Sequence, residues 1–348
     1  MDFMRNRVLT ASCAAAVFSA VCVYPLQAGS DAGATASNFL KIPVAALPSG
    51  MAEAYTAMVG PDSILYNPAG LGLLSYSSVS GTHNQYLAGI SQDYVAVTYR
   101  SAAGTLGAAY SSLSSGEIDA YNADDMPIGH TGTSHKVCIL SFSQSWPHFN
   151  QDAGRLDPML ITPSWTKVEP VTDYRPRSYR VSAGASVKRI TEELDVEKAA
   201  GYAFDAGLVV LLPRHLHLGA SVLNMGGKQK MVYESYPLPL TMRLGFAKDF
   251  HTVGDLMIFT LASDMVKYRD RDFFNATGVE VDMLRMFQFR FGYTSQKDEG
   301  KSLSGGFGMN FDRLADKDSF IHGVRADYAY LDYGDLGATH RFGVQLIW

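Results

Sequence analysis

Phe287-Gln288-Phe289-Arg290-Phe291-Gly292-Tyr293-Thr294 sets four aromatic side chains against Gln, Arg, Gly and Thr at strict period two. Successive side chains of a β-strand point to opposite faces, so this octet reads as a strand with one aromatic face and one polar or tiny face. The arrangement recurs downstream. Leu303, Phe307, Met309 and Phe311 alternate with Ser304, Gly306, Gly308 and Asn310, and Phe320, Val324, Tyr328 and Tyr330 with Gly323, Arg325 and Asp327. Phe342, Val344, Leu346 and Trp348 alternate with Arg341, Gly343 and Gln345. Weaker versions run upstream, through Tyr179 to Lys188, Tyr202 to Leu212 around Asp205, and Leu240 to Ala247. Broken by Gly, Asp, Asn or Pro, the pattern predicts strands at 76–83, 91–100, 104–112, 135–144, 179–189, 202–212, 216–223, 240–248, 256–266, 273–281, 287–295, 303–311, 320–331 and 340–348. These are fourteen, an even number.

Alternation alone leaves open which face is wet. A soluble sandwich would bury the aromatic face and hydrate the other. Here the polar face is rich in Gly and Ser with isolated Arg or Asp, and Lys and Glu are sparse within the strands, unlike a solvated sheet face. An apolar outside and a polar, crowded lumen account for both faces. The expected fold is therefore all-β, a fourteen-stranded antiparallel transmembrane β-barrel in the outer membrane of a diderm bacterium, in contact with its lipid. Composition agrees: 47% of 348 residues are hydrophobic and 18% charged, which excludes a disordered chain. The net charge of -5 supplies no basic surface for nucleic acid.

The N-terminus reads as an export signal, 1–28. Arg5 and Arg7 precede an uncharged stretch from Val8 to Leu26, and Leu26-Gln27-Ala28 offers a small-residue exit. Cleavage there removes Cys13 and Cys22, leaving Cys138 alone and no disulfide. Residues 29–74 break the period-two pattern. Met51 to Met58 suggests a short helix, and Asp62 to Leu71 is too apolar for a floppy tail. Pro68 restrains the backbone and Gly70 can turn it, which suits a compact plug in a lumen. The domain plan is thus 1–28 leader, 29–74 hatch and 75–348 barrel, with a long inserted loop at 146–178.

Phe39-Leu40-Lys41-Ile42-Pro43, Ala54-Tyr55-Thr56-Ala57 and Asn67-Pro68-Ala69-Gly70-Leu71 together resemble the N-terminal hatch of the FadL-like family of outer-membrane proteins, the long-chain fatty acid transporter-like barrels. The likeness is greatest to its branch of PorV-type secretion proteins and uncharacterised paralogues. Gly184 to Lys188, Asp205 to Leu208, Asn224 to Gly226, Arg243 to Gly245 and Gly337 to Arg341 carry it on to the end of the chain. The resemblance implies a fourteen-stranded barrel with the N-terminal segment in its lumen, and Asn67, Pro68, Ala69 and Gly70 as hatch or gating residues. Arg341 to Trp348 also looks like the closing-strand signal of such barrels, in which Gly343, Leu346 and Trp348 would be read by the barrel-assembly machinery.

No catalytic constellation stands in the chain: there is no G-x-S-x-G elbow, H-E-x-x-H or phosphate loop, and no enzyme activity is expected. His322 and His340, on neighbouring outward faces, are the only hint of a lipase-like arrangement. His215 and His217 share a strand face but lack a nearby third ligand, so they read as ordinary end-of-strand residues, and neither metal nor cofactor is expected. Arg180, Lys188, Asp205, Arg243, Arg290, Arg325, Asp327 and Arg341 fall on the lumen face. They either line a charged path for an amphipathic carboxylate or pair with one another and with the hatch backbone. The favoured function is passive uptake of long-chain fatty acids or other hydrophobic small molecules. The alternatives are a PorV-like accessory role binding exported proteins, and a structural surface barrel. Transporters of the family are usually longer, and none of their ligand-capture residues carries over to the short loops here. The 146–178 connection, with prolines at 147, 158, 163, 170 and 176, reads as a periplasmic insertion whose Leu156, Met159, Leu160, Ile161 and Trp165 cover the barrel mouth or dock a periplasmic protein partner.

Overall fold

The computed structural model describes residues 35–122, 124–146, 179–195, 197–231, 234–252, 256–296, 303–311 and 323–348. The leader, the interior of the 146–178 connection with its partner-docking residues, Phe320 and His322 lie outside the described residues. The strands are β1 (Ser78–Gln85), β2 (Ser91–Ser101), β3 (Gly104–Ser114), β4 (Ile118–Tyr121), β5 (Pro127–Thr131), β6 (Thr133–Trp146), β7 (Arg180–Leu194), β8 (Glu197–Leu212) and β9 (Leu216–Met225). They continue as β10 (Lys228–Met231), β11 (Glu234–Pro237), β12 (Thr241–His251), β13 (Met257–Tyr268), β14 (Phe274–Met283), β15 (Phe287–Thr294), β16 (Leu303–Asn310), β17 (Gly323–Asp332) and β18 (Ala338–Ile347).

Fourteen of these close into an antiparallel barrel, in the order β1, β2, β3, β6, β7, β8, β9, β12 and on through β18. Closure is the pairing of β1 with β18, from Ser78↔Ile347 to Gln85↔His340, which leaves the wall without an open edge. The wall strands are those expected from the alternation; β6, β7 and β8 run four or five residues longer, and the others agree in length within two residues. Two small hairpins, β4–β5 and β10–β11, stand outside the wall and were not expected. They occupy connections beyond the lipid, where no apolar face is needed and no strict alternation marks a strand.

The two faces separate as the side-chain period requires. Phe291 is 64% exposed on the outer surface, while its neighbour Arg290 is 1% exposed inside. Val95, Leu140, Phe142, Tyr202, Phe204, Phe342 and Val344 share the outer surface. A closed barrel of even strand number with an apolar band outside is an outer-membrane barrel. Its lumen is not uniformly polar, however, as the sequence suggested. Tyr94, Ala96, Ala109, Val137, Ile139 and Ile190 form an inward apolar sector against Phe39, Ile64, Leu71 and Leu74 of the N-terminal segment. Apolar side chains of the plug need an apolar seat, and this sector supplies it.

Residues 35–77 thread the lumen between the two rims. At one rim Ala36 N donates to Pro237 O (3.0 Å); at the other Ser77 and Trp348 exchange backbone hydrogen bonds of 3.1 and 3.0 Å. The helix expected over Met51 to Met58 is instead Ala46–Gly50, followed by turns in which Ala52 and Glu53 take φ of 51° and 65°. That left-handed pair ends the helix. A second short helix spans Ser63–Tyr66, and a 3-10 turn follows over Pro68–Leu73.

Strand direction assigns the rims. Short turns at 102–103, 213–215 and 284–286 share the rim where β18 ends, and both hairpins stand at the other, so the first is periplasmic. Trp146 pairs with Val181 at the periplasmic rim, which puts both ends of the 146–178 connection there. A cysteine placed at Thr166 in a Cys138→Ser background should therefore stay unlabelled by a membrane-impermeant thiol reagent on intact cells and become labelled once the outer membrane is permeabilised. Strong labelling of intact cells would invert the rims.

Candidate functional site

Asn67, just before Pro68, is extended (φ −160°, ψ 100°), as the proline ring demands of its predecessor. Its fully buried side chain ties three pieces of backbone together. Nδ2 donates to Thr56 O (2.8 Å) and to Leu208 O of β8 (3.1 Å), and Oδ1 accepts from Ala69 N (3.1 Å). The wall receives this turn because it is stripped of side chains there. A Cβ on Gly207 would overlap the Asn67 amide oxygen, and one on Gly184 would sit 2.5 Å from the Pro68 carbonyl carbon. Serine hydroxyls hold the neighbouring carbonyls: Ser182 donates to Ala69 O (2.6 Å), as Ser143 does (3.2 Å), and Ser221 donates to Tyr66 O (2.7 Å). Gly70 abuts Ser63, within the plug itself.

A second anchor stands opposite the left-handed turn. Asp264 Oδ2 accepts from Tyr55 N (3.0 Å), Thr56 N (3.0 Å), Thr56 Oγ1 (2.6 Å) and Arg243 Nη2 (3.0 Å). Arg243 also donates from Nε to Thr56 Oγ1 (2.9 Å) and from Nη2 to Glu53 O. A buried carboxylate and guanidinium thus satisfy the donors and acceptors that the broken helix exposes. Arg341, fully buried, does the same for Pro43 O with Nε and Nη2, each at 3.2 Å.

The remaining lumen charges meet one another. Lys188 lies 2.9 Å from Asp205, whose other oxygen accepts from Asn224 N (2.7 Å) at the register shift between β8 and β9. Arg290 bridges Glu280 (2.6 Å) and Asp327 (2.7 Å), and Arg325 reaches Asp327 at 2.8 Å, a network of two positive and two negative groups. Arg180 is buried near the periplasmic end of β7. Among the described residues, these charges do not form an open path. Sequence reading missed Asp264 and Glu280, although each sits at the inward parity of its strand. On β18, Gly343 faces the lumen, against Ala46 of the plug and Thr82, while Leu346 lies on the opposite, outward face.

The extracellular mouth holds a cavity of about 430 Å³, lined by Thr35 to Phe39, His135, Glu192 and Tyr236. Phe39 stacks on His135, ring centroids 5.1 Å apart and planes inclined by 20°. Phe39, at the edge of the cavity, also belongs to the packed apolar seam between plug and wall that includes Ile139, Ile190, Ile64, Leu71 and Leu74. The N-terminal segment is latched over this mouth. Lys41 Nζ contacts both oxygens of Asp270 (2.8 and 2.6 Å), Thr35 Oγ1 donates to Asp270 (3.2 Å), and Ser37 Oγ donates to Gln229 (2.8 Å) of the β10–β11 hairpin. Asp270 stands in the turn after β13. Burial pushes its carboxyl up, but the hydrogen bond and charge of Lys41, with help from backbone and Thr35, hold it below the usual carboxylate range.

No family model matches this chain, and no curated protein matches it. Solved structures similar to it include the Ralstonia pickettii toluene transporter TbuX, at 12% identity over 87% of this chain and 97% of that one with a TM-score of 0.48. A Pseudomonas aeruginosa FadL homologue is similar at 11% identity over 88% and 98% of the two chains, with a TM-score of 0.48. The Acinetobacter baumannii outer membrane protein Omp33 is similar at 10% identity over 80% and 100%, with a TM-score of 0.42.

Gly207→Ala should leave the barrel heat-resistant on a gel but unseat Asn67, raising ion conductance in planar bilayers. Unchanged conductance would show that this contact does not keep the plug seated. The latch carries a pH dependence. Because the Asp270 pKa is depressed, its contribution is complete above the ordinary value of about 3.9 and is lost as pH falls through the folded value. Asp270→Asn at pH 7 should therefore open the mouth to proteolysis near Lys41 as the wild type does only below about pH 4. A charge-assisted hydrogen bond of ~1.5–3 kcal/mol makes that roughly a tenfold or larger change in the open fraction.

Proposed function

We propose that this barrel is a passive FadL-type transporter of hydrophobic small molecules with a polar end, such as long-chain fatty acids. The observation that carries the reading is the mouth cavity adjoining, through Phe39, the apolar seam between plug and wall. Its volume falls within the range of small-molecule sites, and its lining mixes an aromatic pair with Glu192, Ser37 and Asn38. A polar end remains at the hydrated mouth while the apolar tail enters beside Phe39. Descent then requires that plug and wall part along this apolar surface and, at its periplasmic end, that the bonds of Ser143, Ser182 and Arg100 to Ala69 O and Leu74 O give way, with the Asn67 side-chain bonds and the Asp264 cluster left in place. The free-energy source in this reading is the concentration gradient of the ligand.

In this mechanism the lumen charges position the plug and do not touch the ligand. Arg243 and Arg341 hold hatch carbonyls, Lys188 and Asp205 fix the β8–β9 register, and the Glu280–Arg290–Asp327–Arg325 network braces the wall on the far side. Asn67 to Gly70 are the hatch residues whose seat decides how far the seam opens.

Uptake of a labelled long-chain fatty acid into liposomes carrying the purified barrel tests the reading. Phe39→Ala removes ~1.5–3 kcal/mol of apolar contact, so capture at low ligand concentration should fall about tenfold or more. Uptake equal to wild type in Phe39→Ala, or none by the wild-type barrel above protein-free liposomes, would refute it.

A further inference from the structure

At the periplasmic rim the turn 213–215 and the end of β12 bring together residues far apart in sequence. Arg214 and His215 both take left-handed backbone (φ 67° and 58°), which folds the β8–β9 turn tightly. The last β9–β12 pair is Lys248↔Leu216, and β12 runs on past it to His251, alongside the turn. Asp249 N donates to His215 O at 3.1 Å, joining the two elements. The imidazoles of His215 and His251 lie with ring centroids 4.6 Å apart, and one ligand atom each from His215, Asp249 and His251 falls within 4.8 Å of the others.

Two surrounding features point to an ion. Thr260 Oγ1 donates to Asp249 Oδ1 (2.7 Å), the kind of outer hydrogen bond that orients a ligating carboxylate. His217, two residues from His215 on the lumen-facing side of β9, is 92% buried, and neither ring nitrogen has a hydrogen-bond partner among the described residues. A buried imidazole with both nitrogens unpartnered is costly unless something else uses it. The charged groups that act on its ring are Asp249, His215 and Lys248. Lys248 is itself turned to the loop, donating to Arg214 O (2.7 Å).

We propose that His215, Asp249 and His251 form a divalent metal site at the periplasmic mouth, with His217 as a fourth donor from within the lumen. Imidazole nitrogens with one carboxylate oxygen suit a borderline ion of the zinc type, which binds such donors at about 2.0–2.2 Å. The ion would staple the β8–β9 turn to the end of β12 where their backbone pairing runs out. Sequence alone shows only His215 and His217; the other two donors arrive across the β9–β12 seam. This inference is independent of the transport reading.

The test uses the purified full-length barrel in detergent, titrated with Co²⁺ alone and then with Zn²⁺ as competitor, reading the visible cobalt spectrum and the heat of binding. One equivalent should bind with a tetrahedral cobalt spectrum, and His215→Ala and His251→Ala should each weaken binding by at least roughly tenfold. His83→Ala, at the opposite rim, should bind as wild type, and heat-modifiable mobility on a gel shows that each variant is folded. Absence of the cobalt spectrum in the wild type, or its survival in folded His251→Ala, would overturn the site. Binding unchanged in His217→Ala would overturn the fourth donor.

Discussion

A barrel of fourteen strands encloses more space than its own inward side chains can fill, and that constraint governs the rest of the molecule. The space is taken by a stretch of chain with little regular structure, whose backbone donors and acceptors have few partners of their own. Each must therefore be satisfied from the wall. Asp264 takes two backbone N–H groups, Arg341 and Arg243 give to carbonyls, and Ser143, Ser182 and Ser221 give to two more, Ala69 O and Tyr66 O, on either side of the Pro68 turn. The polar residues of the lumen are mostly the complement of one irregular chain.

The plug is held unevenly as a result. Around Asn67 and Thr56 it is bound through polar groups and close backbone contact, with Gly184 and Gly207 making the room. Around Ile64 and Leu71 it meets β3 and β6 chiefly through apolar side chains, Ala109, Val137 and Ile139, while nearer the periplasm Ser143, Ser182 and Arg100 on the same strands and their neighbours hold Ala69 O and Leu74 O. Apolar contact is non-directional and tolerates sliding, whereas the Asp264 cluster loses several directed bonds at once if displaced. The plug is held by directed bonds around Thr56 and at its periplasmic end, and the mouth cavity stands above its most apolar contact with the wall.

The antiparallel pairing of β9 with β12 also explains where the proposed metal-ligating geometry arises. β9 and β12 are neighbours in the wall although the β10–β11 hairpin separates them in the chain. Their periplasmic ends thus meet through the barrel, with no short turn linking them. His215 and His251, 36 residues apart, become near neighbours for that reason alone.

The chain's period-two pattern determined the strands, their number and which side chains face lipid, because the alternation is a property of the extended backbone and needs no neighbour. Phe287 to Thr294 could be read as β15 without knowing what lay on either side. Residues 29–74 were recognisable as something other than wall by the same test, and Pro68 settled the extended geometry of Asn67 through its own ring. What the tertiary structure alone decided is who meets whom. Lys188 finds Asp205, Arg290 finds Glu280 and Asp327, and Arg243 finds Asp264 and the turn at Glu53, although all sit on inward faces that look alike in sequence. The helix was misplaced because Asp264, some 200 residues away, captures the amides of Tyr55 and Thr56 and bends the chain at Ala52. Inward parity is local, but pairing depends on strand register, barrel closure and the path of the plug, which exist only once the wall is closed.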